Sequence, residues 1–244
     1  MSALVVIPAR YGAVRFPGKP LALLRGKPVI QHVYEQASHA KRADEVVIAT
    51  DDARIMDAAE RFKGRAVMTS AAARSGTDRV AEVARQREAK VIVNVQGDEP
   101  LIRPEMIDQL IEFLDRHQAV PMASLMTRLK PEDANNPNVV KAVVDRDGFA
   151  LYFSRAPIPH VREKNGVAPV MWKHLGIYGY QRNFLLRFPS LEPTPLEQSE
   201  QLEQLRALEH GFRIKLLETA HETVGVDTPE DLRKVEAMLS AVRG

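Results

Sequence analysis

Three short runs of apolar, mostly β-branched residues recur along the first part of the chain: Leu4-Val5-Val6-Ile7, Val46-Val47-Ile48-Ala49 and Val91-Ile92-Val93-Asn94-Val95. They are continuous rather than alternating, which is how strands covered on both faces read. Between them, Val29 to His39, Asp52 to Phe62 and Thr77 to Arg87 repeat apolar positions at helical spacing. Pro104 to His117 follows the third run, with Pro104 suited to a first helical turn. Strands alternating with helices predict an α/β fold: a mainly parallel twisted sheet flanked by helices.

Further along, the pattern changes. Val139 to Asp145, the turn Asp147-Gly148 and Phe149 to Ser154 predict a hairpin. Residues 155–172 carry Pro157, Pro159, Gly166 and Pro169 and read as a loop. His174 to Tyr180 reads as a strand, Leu196 to His210 as one helix rich in Glu and Gln, and Arg213 to Leu217 as another strand. Thr228-Pro229-Glu230-Asp231 opens a last helix, with Thr228 as N-cap, Pro229 in the first position and Asp231 near the third.

Composition narrows the chemistry. The 244 residues contain no cysteine, which excludes disulfides, thiolate metal sites and a cysteine nucleophile. With 34 Lys and Arg against 32 Asp and Glu, the net charge of +2 is too near balance for a nucleic-acid track. No apolar run approaches the roughly 20 residues that span a bilayer, and the first residues lack the charged region and cleavage site of a signal peptide. The expectation is a cytoplasmic protein with neither nucleic acid nor membrane as partner.

A doubly wound sheet binds ligands beyond the carboxyl ends of its strands, so the loops after Ile7, Ala49 and Val95 should line a site. The first reads Pro8-Ala9-Arg10-Tyr11-Gly12-Ala13-Val14-Arg15-Phe16-Pro17-Gly18-Lys19-Pro20. Its glycines let backbone N–H groups approach phosphate oxygens, Arg10 and Arg15 can each fork across two oxygens, and Lys19 supplies a point charge. It is equally a solvated basic loop when taken alone. Pro20 follows Gly18-Lys19, so the segment is not G-x-x-x-x-G-K-[ST], nor is it G-x-G-x-x-G; P-loop kinases and dinucleotide-binding dehydrogenases lose support. The third loop, Gln96-Gly97-Asp98-Glu99-Pro100, holds carboxylates that suit a hard cation such as Mg²⁺, or a plain acidic turn. Asp227 becomes a partner for Asp98 only if the fold brings them together.

Ile7-Pro8-Ala9-Arg10-Tyr11 with Arg15-Phe16-Pro17-Gly18-Lys19-Pro20 resembles the signature of the sugar-activating cytidylyltransferases. Ser75-Gly76-Thr77-Asp78-Arg79, Val93 to Pro100, Tyr152-Phe153-Ser154-Arg155, His174 to Tyr180, Leu202 to Arg206 and Gly225 to Leu232 narrow the resemblance. Together, in order from residue 4 to about residue 240, they are similar to the 3-deoxy-manno-octulosonate cytidylyltransferase family. The resemblance implies a Rossmann-like nucleotidyltransferase fold, a single domain over residues 1–244. Residues 1–130 would mainly bind nucleotide, and 131–220 would form a smaller mixed β/α subdomain for sugar binding and dimerisation. Residues 221–244 would return with Asp227 and the last helix.

The implied reaction transfers CMP from CTP to the anomeric hydroxyl of 3-deoxy-D-manno-octulosonate (Kdo), for lipopolysaccharide synthesis, in a homodimer. Ala9, Arg10, Arg15 and Lys19 would hold the triphosphate, with Arg74, Ser75 and Gly76 near the cytosine. Asp98 and Asp227 would hold Mg²⁺, so that Arg10, Lys19, Asp98 and Asp227 form the catalytic set. Gln96, Arg155, His174, Tyr178, Glu203 and Gln204 would line the sugar pocket, where an arginine suits the sugar carboxylate.

Read without the resemblance, one of Tyr178 and Tyr180 belongs to the core, His174 is equally a surface histidine, and Glu203 is equally a solvent-facing acid. The run Ser70-Ala71-Ala72-Ala73-Arg74 departs from the family, which usually carries a histidine there, and the loop from His160 to Lys173 is short. A variant acceptor such as 8-amino-Kdo or a sialic acid therefore stays open, as does a CTP-sensing binding protein that is not an enzyme.

Overall fold

The computed structural model describes residues 2–12, 16–162 and 170–241. In chain order its strands are β1 (Ala3–Ala9), β2 (Leu23–Leu24), β3 (Lys27–Pro28), β4 (Glu45–Thr50), β5 (Ala66–Met68), β6 (Val91–Asn94), β7 (Met122–Arg128), β8 (Lys141–Val144), β9 (Ala150–Ser154), β10 (Trp172–Gln181) and β11 (Ile214–Glu218). Its α-helices are α1 (Val29–Ala37), α2 (Ala53–Arg61), α3 (Gly76–Arg85), α4 (Pro104–Arg116), α5 (Arg182–Arg187), α6 (Pro195–Glu200), α7 (Gln204–Glu209) and α8 (Pro229–Ala241).

The main sheet runs β11-β7-β10-β6-β1-β4-β5, and β10 also pairs with β8, which pairs with β9. Along that path only β10 is reversed, lying antiparallel to both β6 and β7; the other pairings are parallel. The expected mainly parallel sheet is therefore present, and the strand from the middle of the chain is inserted into its centre rather than added at an edge.

Why the first strands read as continuous apolar runs is visible in their packing. Along β1 the side chains of Val5 and Ile7 join one core with α1, α2 and α4, while Leu4 and Val6 join a second core with α3, α5 and α7. Alternate residues thus serve two helical layers, and none of these four is more than 1% exposed. Each such buried side chain contributes about 1.5–3 kcal/mol. At the junction of α4 with β10, a Cβ on Gly179 would lie 2.7 Å from the Cδ1 of Leu114, so glycine sets how closely that helix approaches.

The hairpin forms as β8 and β9, closed by Asp145 N–H donating to the Phe149 carbonyl at 2.8 Å and by Gly148 at φ +74°. The predicted single helix from Leu196 to His210 is instead two short ones, α6 and α7, separated at Gln201, which adopts a left-handed φ of +52°. The break has a packing reason: it turns Leu202, Gln204, Leu205 and Arg206 inward, all of them buried, where a continuous polar helix would have left them on a solvated face. The start of α8 follows the expected cap. Thr228 N–H donates to Asp231 Oδ2 at 3.1 Å and Asp231 N–H donates to Thr228 Oγ1 at 3.2 Å. A third small core joins α8 to the chain between β1 and α1, through Leu24, Val29, Val226 and Val235 with Phe16 and Leu232 against them. Among the described residues no helix is long and apolar enough to cross a membrane.

Candidate active site

The site forms where β1 and β6 end side by side. There the loop after β6 comes very close to the end of β1: a Cβ on Gly97 would lie 2.7 Å from the Pro8 carbonyl oxygen, a contact only glycine permits. A cleft of about 310 Å³ opens there, lined by Ala9, Arg10, Lys19, Gly76, Gln96 and Asp98 among others. These residues come from three separate loops, so the fold brings together most of the candidates expected around the nucleotide.

Lys19 is placed by local geometry. Gly18 takes φ +74°, its N–H closes the loop onto the Tyr11 carbonyl at 2.8 Å, and its carbonyl accepts from Leu21 N–H at 2.8 Å. From that turn the Lys19 ammonium reaches the carboxylates of both Asp98 and Asp227, the latter at 2.9 Å. Burial opposes the Lys19 charge, but the Asp98 carboxylate and then Asp227 outweigh it, and the Lys19 pKa is raised. Asp227 arrives beside Asp98 because Val226 N–H donates to the Asp98 carbonyl at 2.8 Å while the Val226 side chain is buried in the third core.

Two carboxylates that converge on one cation are a donor set for a hard divalent ion such as Mg²⁺, whose shell phosphate and water complete. Among the described residues no group of three or more His, Cys, Asp or Glu is arranged to hold a metal. Arg10 lines the same cleft and donates to the Ala73 carbonyl at 2.9 Å. Arg15 lies outside the described residues.

Ser75 is the N-cap of α3, in a reciprocal capping box with Asp78. Gly76 begins that helix over the Pro8 ring, 3.4 Å from where its Cβ would stand. Arg74 is largely exposed and donates to the Pro189 carbonyl at 3.0 Å. A second cavity, of about 460 Å³, is lined by Arg74, Ser75, Gln201 and Glu203 among others.

The remaining candidates gather under β10. His174 is 7% exposed rather than a surface residue, packed edge-on against Phe153 with ring centroids 4.8 Å apart. Its Nε2 lies 2.9 Å from Ser124 Oγ, whose nearest carbonyl is that of Ile177 at 2.7 Å. A serine hydroxyl has one proton, and donating it to Ile177 leaves Nε2–H of His174 as the donor to Ser124. Ser124 thereby also satisfies a carbonyl freed where β10 and β7 shift register between Leu175 and Tyr178. Burial lowers the His174 pKa to about 3, so the ring is neutral at physiological pH.

Tyr178 O–H donates to Gln204 Oε1 at 3.1 Å, and its ring lies 5.4 Å from that of His174. Tyr180, at 1% exposure, is the core member of the pair. Glu203 is partly buried and accepts from the Thr77 hydroxyl; burial raises its pKa, against the opposing donors Ser75 and Thr77. Arg155 is turned differently from the other sugar-pocket candidates: Nε donates to the Glu200 carbonyl at 2.7 Å and its terminal nitrogens to Pro137 at 2.9 Å and Gln201 at 3.3 Å.

Glu99, the second carboxylate of the Gln96–Pro100 loop, is partly buried beside Asp98. Burial first, then the Asp98 charge, pushes its carboxyl up to about 8 against the Thr223 hydroxyl and Lys173. One site contact escaped the reading of the sequence. Thr77, which bonds Glu203, stood within the Ser75–Arg79 motif, but its partner is distant in sequence and nothing local pointed to it.

Comparison with known proteins agrees with this fold. A family model described as cytidylyltransferase matches residues 4–216. The 3-deoxy-manno-octulosonate cytidylyltransferase of Geobacter metallireducens is 52% identical, with 98% of each chain covered. That of Syntrophotalea carbinolica is also 52% identical, over 98% of this chain and 99% of its own. A solved structure of CMP:2-keto-3-deoxy-manno-octonic acid synthetase complexed with CTP superposes with a TM-score of 0.94 at 45% identity, covering 99% of both chains. The ordered motifs, the sheet and near full-length identity agree: this chain belongs to the 3-deoxy-manno-octulosonate cytidylyltransferase family.

Proposed function

We propose that the protein transfers the cytidylyl group of CTP to the anomeric hydroxyl of Kdo and releases pyrophosphate. The observation that carries this reading is the full-length match to a synthetase complexed with CTP. The cleft at the end of β1, where Arg10, Lys19 and Asp98 meet, supports it.

In this reading the anomeric hydroxyl attacks the α-phosphorus in line and gives its proton to solvent, the new P–O bond forms as the bond to pyrophosphate breaks, and negative charge grows on the α-phosphate and leaving oxygens. Arg10, Lys19 and Arg15, with the Ala9 backbone, would grip the triphosphate and stabilise that charge. Asp98 and Asp227 would hold Mg²⁺, which supplies Lewis-acid neutralisation of phosphate oxygens when bound. Arg74, Ser75 and Gly76 would meet the nucleoside at the start of α3.

On the sugar side, Gln96, His174, Tyr178, Glu203 and Gln204 would order the hydroxyls. A neutral His174 can orient a hydroxyl without adding charge. Arg155 already serves three carbonyls, so it would offer a carboxylate only its remaining N–H edge. Residues 131–220 would provide both the sugar subdomain and the homodimer contact, for which the outer strand β9, with Leu151 63% exposed, is a suitable edge. A cytoplasmic location and a role in supplying lipopolysaccharide synthesis complete the reading.

The test is pyrophosphate release by the purified protein with Mg²⁺. Release should need both CTP and Kdo, and Asp98→Asn or Asp227→Asn should slow it by about 100-fold or more. Tight CTP binding with no release on Kdo would refute the acceptor and point to another acidic sugar or to a sensor.

A further inference from the structure

One ammonium joins the two carboxylates of the site: Lys19 bonds both Asp98 and Asp227, with only 14% of its side chain exposed. We propose that Lys19 is a placeholder for the divalent cation: the two compete for the same carboxylates, and entry of the cation releases Lys19 to grip the triphosphate. The inference rests on the reading of Asp98 and Asp227 as Mg²⁺ ligands.

The argument is first steric. A Mg²⁺ ion binds carboxylate oxygens at about 2.0–2.1 Å. An ion held between the Asp98 and Asp227 oxygens that Lys19 now bonds would fill the space of its ammonium. The second step is electrostatic. In this arrangement the Lys19 charge is engaged by the Asp98 and Asp227 carboxylates instead of facing an incoming polyanion. With a divalent ion in its place the carboxylates are neutralised, and the freed Lys19 adds its own positive charge to the cleft.

Cation entry thus adds positive charge to the cleft and strengthens its attraction for a triphosphate. By reciprocity the nucleotide must then strengthen cation binding. The movement required is small. The backbone of Lys19 is fixed by the Gly18 turn, and only a flexible four-carbon stem has to swing.

The experiment is amine labelling of the full chain with acetic anhydride, read at Lys19 by mass spectrometry. Mn²⁺ occupancy is followed in parallel by electron paramagnetic resonance. Without nucleotide, saturating Mn²⁺ should raise the labelling rate of Lys19 several-fold while other lysines keep theirs. A non-hydrolysable CTP analogue should lower it again. Lys19→Met should bind Mn²⁺ about tenfold tighter than the unaltered protein when nucleotide is absent, since a competing cation is gone.

Bound Mn²⁺ with an unchanged Lys19 rate, or equal Mn²⁺ affinity in Lys19→Met, overturns the placeholder and leaves the metal reading standing. If Mn²⁺ fails to bind with or without nucleotide, or binds equally well to Asp98→Asn and Asp227→Asn, the metal reading itself falls and the placeholder with it.

Discussion

His174 offers a measurable signature of the buried site. Its ring is enclosed by Phe153, Tyr178 and Ser124, and burial alone depresses its pKa to about 3. In the unfolded chain the same group titrates near 6.5. Below that value the unfolded state takes up a proton that the folded state refuses, so stability present above pH 6.5 is lost progressively as pH falls toward 3. Between pH 7 and pH 5 the loss from this one residue amounts to about 2 kcal/mol.

The perturbation is His174→Gln, which keeps an amide donor for Ser124 and removes the titration. The assay is urea unfolding at pH 7, 6 and 5, with free energies from linear extrapolation. The substitution has its own pH-independent cost, and the other titrating groups are common to both proteins, so the difference between the two profiles isolates residue 174. The unaltered protein should lose about 2 kcal/mol more than the variant over this interval. Parallel profiles would refute the claim that a neutral imidazole is sealed beneath β10.

Two further outcomes follow from packing. Gly97→Ala drives a Cβ to 2.7 Å from the Pro8 carbonyl, and neither backbone can yield without opening the cleft. It should cost about 1–3 kcal/mol and weaken CTP binding, seen together by thermal melting and nucleotide titration; a variant unchanged in both would contradict the close approach. Lys141 is buried and gives its three protons to the carbonyls of Asn136, Val139 and Arg155. Lys141→Met should lose about 3 kcal/mol by urea unfolding because those acceptors are left unpaired, and a loss below about 1 kcal/mol would show that water replaces the ammonium.

Local chemistry made much of this molecule legible in the sequence. Residues such as Val5 and Ile7 on one side, and Leu4 and Val6 on the other, need apolar neighbours on both faces. The run that contains them could therefore only be a strand sandwiched by helices, and the helix-spaced segments supplied those layers. Thr228, Pro229 and Asp231 announced the start of α8 because a cap is satisfied within a few residues. Lys19 and Asp98 could be singled out as candidates because loops beyond strand ends face ligand.

Tertiary structure decided what depended on partners distant along the chain. The insertion of β10 between β6 and β7 needs pairing that no local pattern encodes. The break between α6 and α7 follows from which face the folded core accepts, overriding a sequence whose polarity alone favoured one solvated helix. His174 was an ambiguous histidine until Ser124 and Phe153 closed around it. Arg155 was expected to face the sugar carboxylate, and only the fold shows its guanidinium engaged by the carbonyls of Pro137, Glu200 and Gln201. Asp98 and Asp227 became one site only when the Val226 hydrogen bond laid the returning chain against the loop after β6. A sequence displays short-range hydrogen bonds and periodic burial, because both are settled within a few residues; the convergence of charges on one point is settled only by the packing of the whole sheet.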